Sequence, residues 1–282
     1  MFPTPIERTS RSWQVTYQSL LPLALILWLL PLIAVAIFSV KPDSDFANAN
    51  YWGWPSEFKG FTNYWLVFTA SDMPQYLLNS FKITIPTVIG AVALSCMTGF
   101  ALGIYKFKAN IWIFFMFVAG NFVPFQILMV PVRDLTLQLG LYNTITGLVL
   151  FHVAFQTGFC TLFMRNFIRA LPFELIEAAR VEGISEWRIF WFVVLPLMKP
   201  AIAALAVLMF TFIWNDYFWA IVLTQGVESQ PVTAGITSFN AQYRAAYHLM
   251  SAGSIVAALP PVAMFFLMQR HFIAGLTLGA VK

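Results

Sequence analysis

The chain predicts an all-α membrane protein of about six transmembrane helices, and three observations carry that prediction. Hydrophobic residues make up 60% of its 282 residues and charged residues only 10%, against about a quarter charged in soluble domains. The mean hydropathy is +0.75. Apolar stretches long enough to cross about 30 Å of hydrocarbon recur six times, separated by polar loops.

Taken in order, residues 1–16 form an amino-terminal segment carrying Arg8 and Arg11, followed by span 1 at 17–40. That run is too long for the apolar core of a signal peptide and has no small-residue cleavage site, so it reads as a retained span. The loop 41–76 mixes Trp52, Trp54, Tyr64 and Trp65 with acids and amides, the composition of a membrane surface; its FTNYWLVF stretch suits a short interfacial helix. Span 2 covers 77–105 and contains Gly99 and Gly103, a small-xxx-small pair that lets a neighbouring helix approach closely. Span 3, 110–132, holds Pro124 and Pro131, which should interrupt its helix and free carbonyls that need partners inside the protein. Span 4 covers 143–165, a charged loop fills 166–199, and span 5 covers 200–224. A polar loop at 225–250, span 6 at 251–273 and a tail at 274–282 complete the chain.

Sidedness follows from the basic residues. One side receives Arg8, Arg11, Lys106, Lys108, Arg165, Arg169, Arg180, Arg188, Lys199, Arg270 and Lys282; the other receives Lys41, Lys59, Arg133 and Arg244, with Lys82 just inside span 2. The positive-inside rule then puts both termini and the 166–199 loop in the cytoplasm. The formal net charge of +4 is small and scattered, which excludes a nucleic-acid groove. Cys96 and Cys160 lie in separate apolar segments without metal or redox spacing, so they read as buried thiols. The chain contains no phosphate-cradling loop, HExxH or GxSxG, so no catalytic or metal site is expected.

The stretch 171–200, LPFELIEAARVEGISEWRIFWFVVLPLMKP, is the long charged segment among apolar runs. Pro172 suits the start of a helix, Glu174 its positive first turn, Gly183 its stop, and Ser185 the cap of a second helix. Leu195-Pro196 should bend the chain toward span 5. Glu177-Ala178-Ala179, three residues, Gly183, nine residues, Val193, one residue, Leu195-Pro196 resembles the EAA loop of permease subunits in ATP-binding-cassette (ABC) importers, with valine in place of the usual isoleucine.

The resemblance extends to Asn79-Ser80, to the fifth-span motif around Asn215-Asp216 and to the carboxyl tail, which looks like the carbohydrate branch, the maltose and glycerol-phosphate transporter type. It implies a type I ABC importer permease fold in the inner membrane of a prokaryote. The implied partners are a second homologous permease, a nucleotide-binding ATPase dimer that carries the ATP and Mg²⁺, an extracytoplasmic solute-binding protein and membrane lipid. No cofactor is implied in this chain. By the same resemblance, Glu177, Ala178, Ala179, Gly183, Leu195 and Pro196 couple the permease to the ATPase: two alanines keep the first helix narrow enough for a cleft, and Glu177 offers a charge to a basic residue there.

Polar groups inside spans are costly unless they face protein or water, so Asn121, Gln126, His152, Gln156, Asn215 and Asp216 are candidates for a substrate path. His152 and Gln156, four apart, share a helix face. Trp214 and Tyr217 flank Asn215-Asp216, and amides, a carboxylate and flat rings together suit a polyhydroxylated ligand. The competing readings are an interhelical hydrogen bond for each isolated amide and a satisfied core histidine for His152. For the whole chain they are an importer of an amino acid, peptide or anion, and an ion-driven secondary transporter.

Overall fold

The computed structural model describes residues 10–237, 239 and 246–278, with residues 270–278 as backbone alone. Arg8, Arg244, Lys282 and the end of the tail from residue 279 lie outside the described residues. The described residues form helices and no strands. The chain divides into two compact units, residues 1–71 with 239–256 and residues 72–238 with 257–282.

In the first unit, α1 (Arg11–Ser39) is about 44 Å long at 1.5 Å per residue, enough to cross hydrocarbon even when tilted. None of its most apolar window is buried within the chain. After the short α2 (Asp43–Ala47), α3 (Gly60–Thr69) occupies the place of the expected interfacial helix. Buried Asn63 on α3 donates its amide to the carbonyls of Ser39 (2.9 Å) and Lys41 (2.8 Å), satisfying backbone acceptors that the end of α1 leaves open. Lys41, fully buried, spends its ammonium on the carbonyls of Asn50 and Tyr51 and lies against the rings of Phe38 and Phe46.

The second unit is built on two long helices, α4 (Met73–Ile104) and α7 (Ile145–Arg169). Their close approach depends on the glycines. A Cβ on Gly99 would sit 3.0 Å from the backbone nitrogen of Arg165 and 3.0 Å from Cβ of Met164, and one on Gly103 would lie 3.3 Å from Ile168. Thr144 caps α7, its hydroxyl accepting from the N–H of Gly147 at 2.9 Å. Cys96 and Cys160 are buried free thiols of this core.

Between these helices the chain departs from a single third span. The helix α5 (Asn110–Gly120) stops, residues 121–124 turn, and a 3₁₀ turn (Phe125–Leu128) leads into α6 (Met129–Gln138), 88° away. Pro124 stands at that break. Pro131 does not interrupt a helix: it sits in the first turn of α6, where a missing N–H costs no hydrogen bond.

Beyond α7 come α8 (Phe173–Val181) and α9 (Glu186–Leu197), the latter with a π-helical stretch over Phe190–Val194. After a 73° bend at Met198 runs α10 (Lys199–Trp214). The expected span at 200–224 is interrupted after Trp214 and resumes only as α11 (Phe218–Leu223). The cause is local: Asn215 turns its amide back to the carbonyl of Thr211 (2.8 Å), and the carboxylate of Asp216 accepts from the N–H groups of Trp219 (3.4 Å) and Ala220 (3.1 Å), starting a new helix. A single turn, α12 (Val232–Gly235), and the long α13 (Tyr247–Leu278) follow. By length and composition four helices can cross a membrane, and six spans result when each bent pair counts as one.

Candidate functional site

Two regions gather the candidate residues, and α10 joins them. The first is the charged segment. Pro172 precedes α8 as its cap residue, with Glu174 in the first turn. Ile176 and Ala179 are buried against the core, whereas Glu177 and Ala178 face outward. The two alanines therefore do different things: Ala179 lets α8 pack down, and Ala178 keeps the outer face flat beside Glu177. Leu175, Val181 and Trp187 are also exposed, so this charged segment carries apolar side chains on its surface as well.

Gly183 closes α8. Its φ is +75°, the N–H of Ile184 donates to the carbonyl of Ala179 (3.1 Å), and its own N–H donates to that of Arg180 (3.0 Å). These are the two bonds of a Schellman turn, which needs a residue that tolerates left-handed backbone at this position. Ser185 stands before α9 but makes no side-chain cap.

Across the turn, Glu186 takes a bidentate pair from Arg180 (Nε to Oε1, 2.6 Å; Nη2 to Oε2, 3.2 Å) and a hydrogen bond from the Tyr105 hydroxyl at 2.8 Å. The Glu186 carboxylate also raises the pKa of Arg180 above its usual value. Sequence reasoning missed this trio. Arg180 and Glu186 are six residues apart on different helices and Tyr105 comes from the end of α4, so no periodicity connects them.

Ile189, Phe190, Val194 and Met198 sink into the same core as Ile176 and Ala179, so α8 and α9 are held on one packed surface. Pro196 lacks the N–H that would bond one turn back, and the π stretch stands immediately before Leu195 and Pro196. The change of direction itself comes two residues later, at Met198, ahead of Pro200 in the first turn of α10.

The second region is a cavity of about 490 Å³ at the far end of α10. It takes His152 and Gln156 from α7, Thr211 from α10, and Asn215, Asp216 and Tyr217 from the break before α11, with aromatic walls that include Phe155 and Trp219. This size suits a small organic ligand. His152 is 2% exposed; its Nε2 lies 3.5 Å from Oδ2 of Asp216, and its Nδ1 has no hydrogen-bond partner among the described residues. Amide, imidazole, carboxylate and ring faces converge here, a set that can hydrogen-bond hydroxyls and stack against flat C–H faces.

Three candidates fall elsewhere. Asn121 donates to the Phe117 carbonyl of its own helix at 2.8 Å, and Gln126 is exposed outside the cavity wall. Trp214 is buried and directs its indole N–H to the carbonyl of Ala257 on α13 at 2.9 Å, a bond between helices. Asn79 and Ser80, at the start of span 2, hold the last outer loop: the Asn79 amide donates to the carbonyls of Val227 and Gln230, and the Ser80 hydroxyl accepts from the N–H of Val232. Asn143 anchors the same loop through Gln225 and Ser229.

Comparison with known proteins agrees with this architecture. The profile of the family described as "binding-protein-dependent transport system inner membrane component" matches residues 92–277. The chain is 33% identical over 284 residues to the osmoprotective compounds uptake permease protein GgtD of Synechocystis sp., covering 98% of this chain and 95% of that protein. It is 35% identical over 221 residues to the arabinooligosaccharides transport system permease protein AraQ of Halalkalibacterium halodurans, covering 78% of each. Among solved structures, a chain of a bacterial ABC transporter involved in the import of the acidic polysaccharide alginate has the same fold, with a TM-score of 0.81 at 21% identity over 95% of this chain and 100% of that one. With multiple apolar spans, two of them bent, and a family match over most of its length, the chain belongs to the binding-protein-dependent transport system inner membrane components, as a multi-pass permease.

Proposed function

We propose that this permease forms half of the translocation path of an ATP-driven importer for a sugar or related polyhydroxylated solute. The observation that carries the reading is α10: it begins at the bend that ends the charged segment and finishes on the wall of the polar cavity. A displacement of α8 and α9, which are packed as one surface, is delivered along α10 to Thr211, Asn215 and Asp216. The relative that transports arabinooligosaccharides and the structure of an alginate importer support the carbohydrate class.

ATP and Mg²⁺ belong to a partner ATPase dimer, one subunit gripping the exposed Glu177 face. A second, homologous permease supplies the other half of the path, and an extracytoplasmic binding protein delivers the solute. The assembly lies in the inner membrane of a prokaryote, with the charged segment and both termini in the cytoplasm, as the distribution of lysine and arginine supports.

Charge reversal at Glu177 tests the coupling. Glu177 is exposed and has no ion pair among the described residues, so Glu177→Lys leaves folding intact. In reconstituted vesicles it should abolish ATP-driven uptake and the solute-stimulated part of ATP hydrolysis. Undiminished uptake with full stimulation would remove Glu177 from the coupling contact.

A further inference from the structure

A second cavity, of about 660 Å³, opens where α4 ends, α5 begins and α7 ends. Four cations line it, Lys106, Lys108, Arg165 and Arg169, and no carboxylate does. Among the described residues none of the four takes part in an ion pair. Lys106, Lys108 and Arg169 are exposed, whereas Arg165 is only 8% exposed.

Arg165 donates its Nε–H to the carbonyl of Leu102 at 3.1 Å, and its guanidinium lies 3.9 Å from the centre of the Phe114 ring. The ring contact offsets part of the cost of burying this charge. Among the described residues no counter-charge offsets the rest, and three more cations share the same space. An anion inside the cavity would supply what all four lack. The remaining wall is mostly apolar, with Ile104, Ile111, Leu171 and Phe173 beside Asn110 and Tyr105, and the opening lies where the apolar helices α4 and α7 end and α5 begins.

We propose that this cavity binds an anionic membrane lipid, its phosphate among the four cations and its acyl chains along the apolar wall. Basic pockets between transmembrane helices on the cytoplasmic side recognise phosphate headgroups in this way. A phosphodiester matches the guanidinium fork of Arg165 and the point charges of the lysines together. The site would tie lipid composition to the packing of α4 on α7, and through Tyr105, which also lines the cavity, to Glu186 on α9.

The test uses the full-length chain with the subunits that co-purify with it. The protein is reconstituted in phosphatidylcholine containing phosphatidylglycerol and extracted again, and retained lipid is counted by native mass spectrometry. Wild type should retain phosphatidylglycerol over phosphatidylcholine. The variant Lys106→Gln/Lys108→Gln/Arg169→Gln, which changes exposed side chains only, should lose at least about tenfold of that retention. Lys106→Arg/Lys108→Arg should keep it, which separates loss of charge from loss of fold. Equal retention by wild type and the glutamine variant overturns the proposal. So does complete displacement of the lipid by millimolar inorganic phosphate, which would assign the cavity to the free ion. Protection of Lys106 and Lys108 from amine labelling that depends on a co-purifying subunit, and not on phosphatidylglycerol, would overturn it in favour of an acidic protein segment.

Discussion

Replacing Asp216 separates its two roles, because asparagine preserves one of them and alanine neither. Its carboxylate accepts from the N–H groups of Trp219 and Ala220 at the start of α11 and lies 3.5 Å from Nε2 of His152, with the side chain 17% exposed. Loss of such a cap costs about 1 kcal/mol, and asparagine caps about as well as aspartate. Asp216→Ala should therefore lose about 1–2 kcal/mol, counting the N–H groups of buried Trp219 and Ala220 that it leaves unpaired. Asp216→Asn should lose no more than about 0.5 kcal/mol. Thermal unfolding of the detergent-purified protein, followed by tryptophan fluorescence, reads the stability; solute uptake by vesicles reads the function. If the charge serves the path, Asp216→Asn unfolds within about 1 °C of wild type and yet transports at least severalfold more slowly. Wild-type uptake by Asp216→Asn would show that the carboxylate is a cap and nothing more. Unchanged stability of Asp216→Ala would refute the capping geometry itself.

Two further substitutions probe the backbone. Gly183 has open space around it but a φ of +75°, so Gly183→Ala carries a conformational cost alone, about 1 kcal/mol, and Gly183→Asn less. Amide exchange at Ile184 should rise about fivefold in the alanine variant and less in the asparagine one. Gly99→Ala forces a Cβ to within 3.0 Å of the Arg165 backbone and should cost about 1–3 kcal/mol in thermal unfolding; Gly120→Ala, where nothing lies within 4 Å, should be neutral or stabilising by up to about 1 kcal/mol.

Features carried by local composition were legible in the sequence. Apolar runs announced the long helices, Gly99 and Gly103 announced a close helix contact, and Pro172 and Gly183 bounded α8. Features that depend on which distant groups meet were not. Pro131 reads as a breaker until the chain is seen to turn earlier, at 121–124, leaving it in a first turn. Trp214 reads as part of an aromatic cavity until its N–H is seen to serve Ala257. His152 and Gln156 could be put on one helix face from their spacing, but their meeting with Asn215 and Asp216 across a cavity depends on how α7 and α10 pack. The trio of Tyr105, Arg180 and Glu186 spans 81 residues between its ends, and pairwise electrostatics of that range leaves no pattern in a linear chain.

The bonds from Asn79 and Ser80 also have a bearing on how the protein is made. Their partners, Val227, Gln230 and Val232, lie 148, 151 and 152 residues downstream. At about 5–20 residues per second, the ribosome needs roughly 7–30 s to reach them after the start of α4 has been synthesised. During that interval the amide and hydroxyl stay hydrated and α4 lacks its final anchor. The loop after α11 thus acts as a late fastening, applied once the fifth span is in place. A chain ending before residue 227 would contain all of α4 and α7 yet lack this closure.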